Sequence, residues 1–202
     1  MPLTLHLVRH GETTHNVEHR LQGWCDSPLT WHGMAGVCAT AATLADQRFV
    51  SAYTSTSERA VLTATQIMAR HLSTPLTEDP DLREFGFGEF EGRHESELLT
   101  HVDPYEMFVG IVRGTFAGLP GGEVGPAYRD RVLGAFRRIE QAHPEGDVVV
   151  VSHCLTLMLY LNTVDSFLTP PPNASITRVT VTPDGRRVVT PSPPTTAVAP
   201  VG

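Results

Sequence analysis

Two histidines in this chain each follow a short apolar segment, and this repetition is the clearest indication of chemistry in the sequence. His10 comes after residues 3–8 and a single arginine, Arg9, and His153 comes directly after residues 148–152. A neutral imidazole can act as a nucleophile, and a guanidinium beside it can bind an anion through paired hydrogen bonds. These residues predict a cationic pocket that binds an anion and attacks it.

The segments before the two histidines indicate neighbouring strands of a buried sheet. Residues 3–8 contain three leucines and a valine, and residues 148–151 are four valines, a composition typical of parallel strands covered on both faces. In open α/β sheets, ligands bind beyond the carboxyl ends of the strands. We therefore expect His10 and His153 to meet at one edge of a parallel sheet.

The rest of the pattern predicts a three-layer α/β/α sandwich with a mostly parallel central sheet and a small inserted cap. It gives helices at residues 30–46, 57–72, 128–142 and 155–162, a strand at 49–54 and an edge hairpin at 175–189. Helical fragments interrupted by proline and glycine place the cap at about 93–125. A single domain then covers residues 1–190, and the uncharged, proline-rich residues 191–202 predict a disordered tail.

Composition narrows the class of partner. The 202 residues carry a net charge of −7, and all 15 basic residues are arginine, so neither nucleic acid nor a membrane surface is expected as a partner. The lack of lysine excludes Schiff-base and phosphate-loop lysine mechanisms. The three cysteines form no disulfide framework and no leader precedes the first strand, which predicts a cytoplasmic protein with reduced thiols.

Further motifs follow the first histidine in a fixed order. They are Arg9-His10-Gly11-Glu12-Thr13, Asn16, Leu21-Gln22-Gly23, Arg59-Ala60, Leu82-Arg83-Glu84, Gly121-Gly122-Glu123 and Ser152-His153. In this order, and over about residues 3–180, the chain resembles the histidine phosphatase superfamily, in its phosphoglycerate mutase-like branch.

The resemblance implies hydrolysis of a phosphate monoester through a phosphohistidine intermediate. It makes His10 the nucleophile, with Arg9 and Arg59 binding the phosphoryl oxygens. His153 would donate a hydrogen bond to the transferring group. A covalent intermediate replaces one very slow step with two easier ones, and planar arginine donors suit charge spread over three phosphoryl oxygens.

The resemblance also implies an acid and supporting contacts. Glu84 would protonate the leaving group and later activate water, although Glu89 and Glu91 are neighbouring carboxylates that could compete for this role. Asn16 and Gln22 would contact the phosphate or the near end of the substrate. No metal or other cofactor is expected, because side chains of the chain supply the nucleophile, the anion-binding groups and the acid.

Cys154 is the main departure from the family pattern, which usually has glycine after the second histidine. If the backbone has a positive φ there, a Cβ costs about 1 kcal/mol. We expect Cys154 to narrow the phosphate pocket or displace a backbone donor. No cysteine is followed by arginine at the spacing of a phosphate-binding thiol enzyme, so Cys154 is interpreted as a small buried side chain.

Two other patterns bear on a possible metal site and on the type of substrate. His15 and His19, four residues apart, are a weak zinc signal without a third ligand.

Arg93 and Arg113 are the main cations of the predicted cap, which is otherwise rich in Leu, Met, Phe and Val. This favours a small organic phosphate ester as substrate and hydrolysis as the reaction. A mutase-type phosphotransferase and a catalytically silent phospho-ligand-binding module remain alternatives, and a homodimer is one alternative for the assembly.

Overall fold

The two apolar segments form adjacent parallel strands in the middle of one sheet. The computed structural model describes residues 1–165, 169–182, 184–185 and 187–191. The strands are β1 (Leu3–Arg9), β2 (Phe49–Thr54), β3 (Leu76–Glu78), β4 (Gly146–Ser152), β5 (Ile176–Val181) and β6 (Arg187–Pro191). Their order in the sheet is β3-β2-β4-β1-β5-β6. The first four are parallel, and β5 and β6 form the predicted edge hairpin.

Helices cover both faces of this sheet, as predicted. They are α1 (Thr14–Val17), α2 (Trp31–Leu44), α3 (Glu58–Met68), α4 (Glu95–Leu99), α5 (Pro104–Arg113), α6 (Gly125–Ala142) and α7 (Cys154–Leu161). Along β4, Val148 and Val150 pack in one core with α6 and α7, whereas Val149 and Val151 pack in a second core with α2 and α3. Valines on both faces of the strand are buried, so the mostly parallel three-layer sandwich is confirmed.

The element boundaries depart from the predicted ones in small ways. The helix expected at 57–72 ends at Met68, and Ser57 occupies its N-cap position without a side-chain capping bond. β3 was not predicted because its three residues are all exposed and too short to show alternation. Pro191, predicted as the first residue of a disordered tail, is instead the last residue of β6, and the rest of the predicted tail, residues 192–202, lies outside the described residues.

The cap segment contains the short helices α4 and α5. Asp103 caps α5 by accepting hydrogen bonds from two backbone N–H groups, Pro104 occupies the first turn, and Gly114 ends the helix at φ 70°. These are the usual start and stop signals of a helix. The helix so defined buries Met107, Phe108 and Ile111, and this fixes an apolar face next to the carboxyl edge of the sheet.

Candidate active site

The candidate site lies where β1, β2 and β4 end side by side. His10, Ser55 and His153 are the residues that follow these three strands. A pocket of about 480 Å³ opens at this edge. Its wall includes six of the predicted site residues: Arg9, His10, Asn16, Gln22, Glu84 and Cys154. Arg59 and His153 are more deeply buried, with 1% and 0% of their surfaces exposed.

His10 is held in one tautomer by its own backbone. Its Nδ1 lies 2.8 Å from the carbonyl oxygen of Gly11, which can only accept, so Nδ1 carries the proton and donates it. The backbone N–H of His10 donates to Ser152 at 3.0 Å. The second ring nitrogen, Nε2, therefore keeps its lone pair, which is the form that a nucleophilic imidazole needs.

His153 is held so that one of its ring nitrogens can donate a hydrogen bond. Its Nε2 lies 2.7 Å from the hydroxyl oxygen of Ser55, and that oxygen also accepts the backbone N–H of Ser57 at 3.3 Å. When Ser55 donates its proton to Nε2, the other ring nitrogen carries the hydrogen. This Nδ1 is buried and has no hydrogen-bond partner within the described residues. The rings of His10 and His153 have centroids 5.2 Å apart.

Burial and nearby guanidinium groups keep both imidazoles neutral. Burial, followed by the charges of Arg59 and Arg9, holds the pKa of His10 well below its usual 6.5. Burial and Arg59 also lower the pKa of His153 well below 6.5, with smaller effects from His10 and Arg9. The site therefore combines permanent positive charge from arginine with a neutral, unprotonated nitrogen.

A pH titration of His10 tests this electrostatic arrangement. Since its pKa lies well below 6.5, we expect its NMR signals to remain those of the neutral Nδ1–H tautomer as the pH falls from neutral through 6. Arg9→Gln removes one positive charge, so the pKa of His10 should rise toward its ordinary value. Titration of His10 near 6.5 in the unmodified protein, or no increase in Arg9→Gln, would contradict the assignment.

The two predicted arginines differ in their surroundings. Arg9 donates through one terminal nitrogen to the carbonyl oxygen of Pro171 at 2.8 Å. Arg59 is more fully engaged, because its terminal nitrogens donate to the carbonyl oxygens of Gln22, Gly23 and Cys25 and to the carboxylate of Asp26. Both Nε atoms are buried without a partner among the described residues. Arg59 thus holds a loop in place in addition to lying near both histidines.

Glu91 holds the same loop through its carboxylate. Its two carboxylate oxygens accept the backbone N–H groups of Gly23, Trp24, Cys25 and Phe87. Burial alone would raise the pKa of Glu91, but these N–H donors outweigh it and the pKa is lowered. Glu84 lines the pocket whereas Glu91 does not, so the geometry favours Glu84 over Glu91 as the acid.

Glu84 lies on the pocket wall at the end of a turn that follows β3. Its Oε1 accepts the backbone N–H of Phe85 at 2.9 Å and the hydroxyl of Tyr128 at 3.1 Å. Its Oε2 accepts the backbone N–H of Leu155 at 2.9 Å. The backbone of Glu84 is also fixed, because Arg131 donates to its carbonyl oxygen at 2.9 Å. The carboxylate therefore has a defined orientation at the pocket.

Asn16 and Gln22 line the pocket and are linked through Thr13. Asn16 Oδ1 accepts the backbone N–H of Thr13 at 3.1 Å, and the Thr13 hydroxyl donates to Gln22 Oε1 at 2.8 Å. Asn173, which was not predicted from the sequence, donates through Nδ2 to both Asn16 Oδ1 and the carbonyl oxygen of His10. The antiparallel pairing of β1 with β5 places residues before β5 beside His10, and the predicted hairpin could have pointed to this region.

Cys154 is the first residue of α7, and its backbone does not have a positive φ. The described non-glycine residues with positive φ are His19 and Ala174, so the expected strain of a Cβ at Cys154 is absent. Cys154 still lines the pocket. Burial raises the pKa of its thiol to about 11, which keeps the sulfur protonated and weakly nucleophilic at neutral pH.

Substitution of Cys154 should therefore change the space in the pocket and leave the chemistry intact. We expect Cys154→Gly to retain or raise phosphate release, and Cys154→Ser to differ little from the unmodified protein. Steady-state kinetics on one phosphate ester, with thermal melting to verify folding, are the measurement. Loss of activity in Cys154→Ser as complete as in His10→Ala would make the cysteine part of the mechanism.

The weak zinc signal does not develop into a ligand cluster. His19 lies outside α1 and pairs with Glu95 at 3.2 Å. In the part of the chain that the structure describes, no group of three or more His, Cys, Asp or Glu side chains is arranged to hold a metal ion.

The described helices include none that is long and apolar enough to cross a membrane.

The outer part of the pocket is mostly apolar. It is lined by Leu21, Phe87, Leu98, Leu99, Pro104, Met107, Phe108 and Leu155, which we call the outer wall. Arg20 and Glu95 are the charged residues beside it, and Arg20 is paired with Glu18 at 2.8 Å. The cap cations named from the sequence, Arg93 and Arg113, are exposed and do not line this pocket.

The chain is similar to members of one protein family in both sequence and structure. The profile of the histidine phosphatase superfamily (branch 1) matches residues 5–192. A relative from Cronobacter sakazakii named "Probable phosphoglycerate mutase GpmB" is 32% identical over 163 residues, which are 80% of this chain and 74% of the relative.

Solved structures show the same architecture. Bacillus stearothermophilus YhfR superposes with a TM-score of 0.79 and is 31% identical, covering 94% of this chain and 96% of its own. The alpha-ribazole phosphatase from Shigella flexneri superposes with a TM-score of 0.78 at 24% identity, covering 93% and 95%. At this lower identity the likeness shows the fold alone.

Proposed function

Since the chain belongs to the histidine phosphatase superfamily (branch 1), we propose that it hydrolyses a small organic phosphate monoester through a phosphohistidine at His10. The observation that carries the proposal is the tautomer of His10, whose Nδ1–H is committed to Gly11 at 2.8 Å. Its Nε2 lone pair is thereby available to attack phosphorus. No metal is needed for this step, because arginine and histidine donors supply the electrostatic stabilisation.

The first half-reaction transfers the phosphoryl group to the enzyme. Nε2 of His10 attacks phosphorus while the Nε–H groups of Arg9 and Arg59 and the Nδ1–H of His153 stabilise the phosphoryl oxygens. These three buried groups have no other hydrogen-bond partner among the described residues. As the P–O bond breaks, its electron pair goes to the leaving oxygen, and Glu84 gives that oxygen a proton.

The second half-reaction returns the enzyme to its starting state. Glu84, now ionised, accepts a proton from water as the water oxygen attacks phosphorus. The bond between phosphorus and His10 Nε2 breaks, and its electron pair returns to the ring. Inorganic phosphate leaves with His10 neutral and Glu84 protonated, as at the start of the cycle.

The outer wall favours hydrolysis of an ester with an apolar organic group. A mutase has to hold a second anionic end of its substrate, whereas here the outer wall is apolar and Arg20 lies beside it together with the carboxylate of Glu95. The name of the Cronobacter relative and the position of Arg20 keep a phosphoglycerate mutase activity as the second candidate.

A substrate panel separates these functions. Phosphate release is measured for sugar phosphates, phosphoglycerate, nucleotides and aryl phosphates, with His10→Ala purified in parallel as the control for contaminating phosphatase. We expect release from several monoesters, fastest with an apolar or aromatic group. Interconversion of 2- and 3-phosphoglycerate without release would identify a mutase. Binding of phosphate esters without any turnover would identify a silent module, and either result would contradict the proposal.

A further inference from the structure

We propose that Tyr128 is a positioning residue for Glu84, whose carboxylate it orients for giving up and recovering a proton. This inference rests on the proposed function, in which Glu84 is the acid and base. Tyr128 does not line the pocket and is completely buried, so it would act through Glu84 and not on the substrate.

The hydroxyl of Tyr128 has two acceptors within hydrogen-bond distance. Its oxygen lies 3.1 Å from Glu84 Oε1 and 2.9 Å from the hydroxyl oxygen of Thr156. Thr156 lies nearer to the carbonyl oxygen of Arg83, at 2.9 Å, than to Glu84 Oε1, at 3.3 Å, so its own proton goes to that carbonyl. The Thr156 oxygen is then an acceptor, and Tyr128 can donate to either residue.

The charge on Glu84 decides between these two acceptors. An ionised carboxylate is the stronger acceptor, and hydrogen bonds to charged groups are stronger than those between neutral groups. When Glu84 is protonated, the tyrosine hydroxyl can turn to Thr156 without losing its bond. Tyr128 thus stabilises the ionised state that Glu84 reaches after protonating the leaving group.

Tyr128 itself keeps its proton throughout. Burial, together with the neighbouring negative charge of Glu84, raises its pKa well above 10. The ring is fixed by packing, since the Phe85 ring meets it edge-on at 5.2 Å and the guanidinium of Arg131 lies 4.8 Å from its centroid. Arg131 is in turn held by Glu123 through two hydrogen bonds of 2.6 and 2.8 Å.

Other polar and charged groups also face Glu84, and the test must separate their effects from that of Tyr128. They are the N–H of Phe85, Arg131 of α6, the Leu155 N–H, Cys154 and Thr156 of α7, and Arg9 and His10 of the same pocket. Tyr128→Phe leaves all of these in place and removes one oxygen atom.

The chain provides a matched control in Tyr160. This residue is also buried, with 2% of its surface exposed, and its hydroxyl donates to Glu140 at 2.7 Å. Tyr160 does not line the pocket. Tyr160→Phe therefore removes an equivalent hydrogen bond to a glutamate from the same core, and a purely structural effect would be similar in both variants.

The experiment compares pH profiles of kcat/KM for an alkyl phosphate and nitrophenyl phosphate. Loss of a donor makes ionised Glu84 less stable. The decrease of kcat/KM at high pH, which we call the basic limb, should therefore move to higher pH by about one unit for the alkyl ester in Tyr128→Phe. The maximal kcat/KM for the alkyl ester should fall about tenfold. The value for nitrophenyl phosphate, whose leaving group needs little protonation, should change by less than about threefold. Tyr160→Phe should keep the profile of the unmodified protein.

The possible failures can be told apart. If the basic limb of the alkyl ester profile does not move in Tyr128→Phe, or moves equally in Tyr160→Phe, the role of Tyr128 is overturned. Survival of alkyl ester hydrolysis in Glu84→Gln would instead overturn the proposed acid itself. If Tyr128→Phe does not fold, 3-fluorotyrosine at position 128 replaces it, because a more acidic phenol donates more strongly. The limb should then move to lower pH, and an unchanged limb would again refute the inference.

Discussion

Replacing His10 by alanine is expected to lower phosphate release by about four orders of magnitude or more. Uncatalysed hydrolysis of phosphate monoesters is among the slowest reactions known, and the variant loses the atom that forms the covalent bond. The nearest imidazole, His153, has its Nε2 bound to Ser55 at 2.7 Å and cannot replace the nucleophile without breaking that arrangement. Steady-state release from the best ester of the substrate panel is the measurement.

The control for His10→Ala is a second buried histidine away from the site. His71 is 8% exposed and packs on Phe49, at the opposite end of β2. His71→Ala should keep its activity at temperatures where it remains folded, even if its melting temperature falls. Near-normal turnover in His10→Ala, or equal losses in the two variants, would be incompatible with nucleophilic catalysis by His10.

Replacing Glu84 by glutamine should reduce kcat/KM for alkyl phosphates by about two to four orders of magnitude, the usual contribution of general acid catalysis. The amide keeps the size of the side chain but carries no transferable proton. With nitrophenyl phosphate the loss should be much smaller, because this leaving group departs without protonation. Since kcat/KM reports the steps up to departure of the leaving group, the difference between the two esters measures how much proton donation by Glu84 contributes to the rate.

Glu89 provides the matched control for Glu84. It lies in the same loop, five residues further on, and its side chain is exposed. Glu89→Gln should therefore retain full activity with both esters. Equal losses for alkyl and nitrophenyl phosphate in Glu84→Gln would mean that the acid is another residue. Glu91 would then be the first candidate, despite its four hydrogen bonds to backbone N–H groups.

The location of the site could be predicted because it depends on the ends of strands. The apolar runs before His10 and His153 fix β1 and β4, and parallel strands bring their carboxyl ends to one edge. Arg59 and Glu84 have no such local signal. They were assigned through the resemblance to a family, and the structure places Glu84 on the pocket wall and buries Arg59 almost completely.

The supporting contacts could not be predicted, because they join residues that are far apart in the sequence. Arg59 contacts residues 22–26, Asn173 contacts His10, and Tyr128 contacts Glu84. Each depends on how helices and loops pack on the sheet, which hydrophobic periodicity does not specify. The conformation at Cys154 was left open for the same reason, since only the backbone shows that α7 begins there without a positive φ.

The central claim is that the phosphoryl group is transferred to His10, and rapid-quench trapping tests it most directly. The protein is mixed with a labelled phosphate ester, stopped within a single turnover and digested for peptide mapping. We expect phosphate that is stable to base and labile to acid, located on the peptide containing His10 and missing from His10→Ala. Label on another residue, or no protein-bound label while phosphate is being released, would contradict the account.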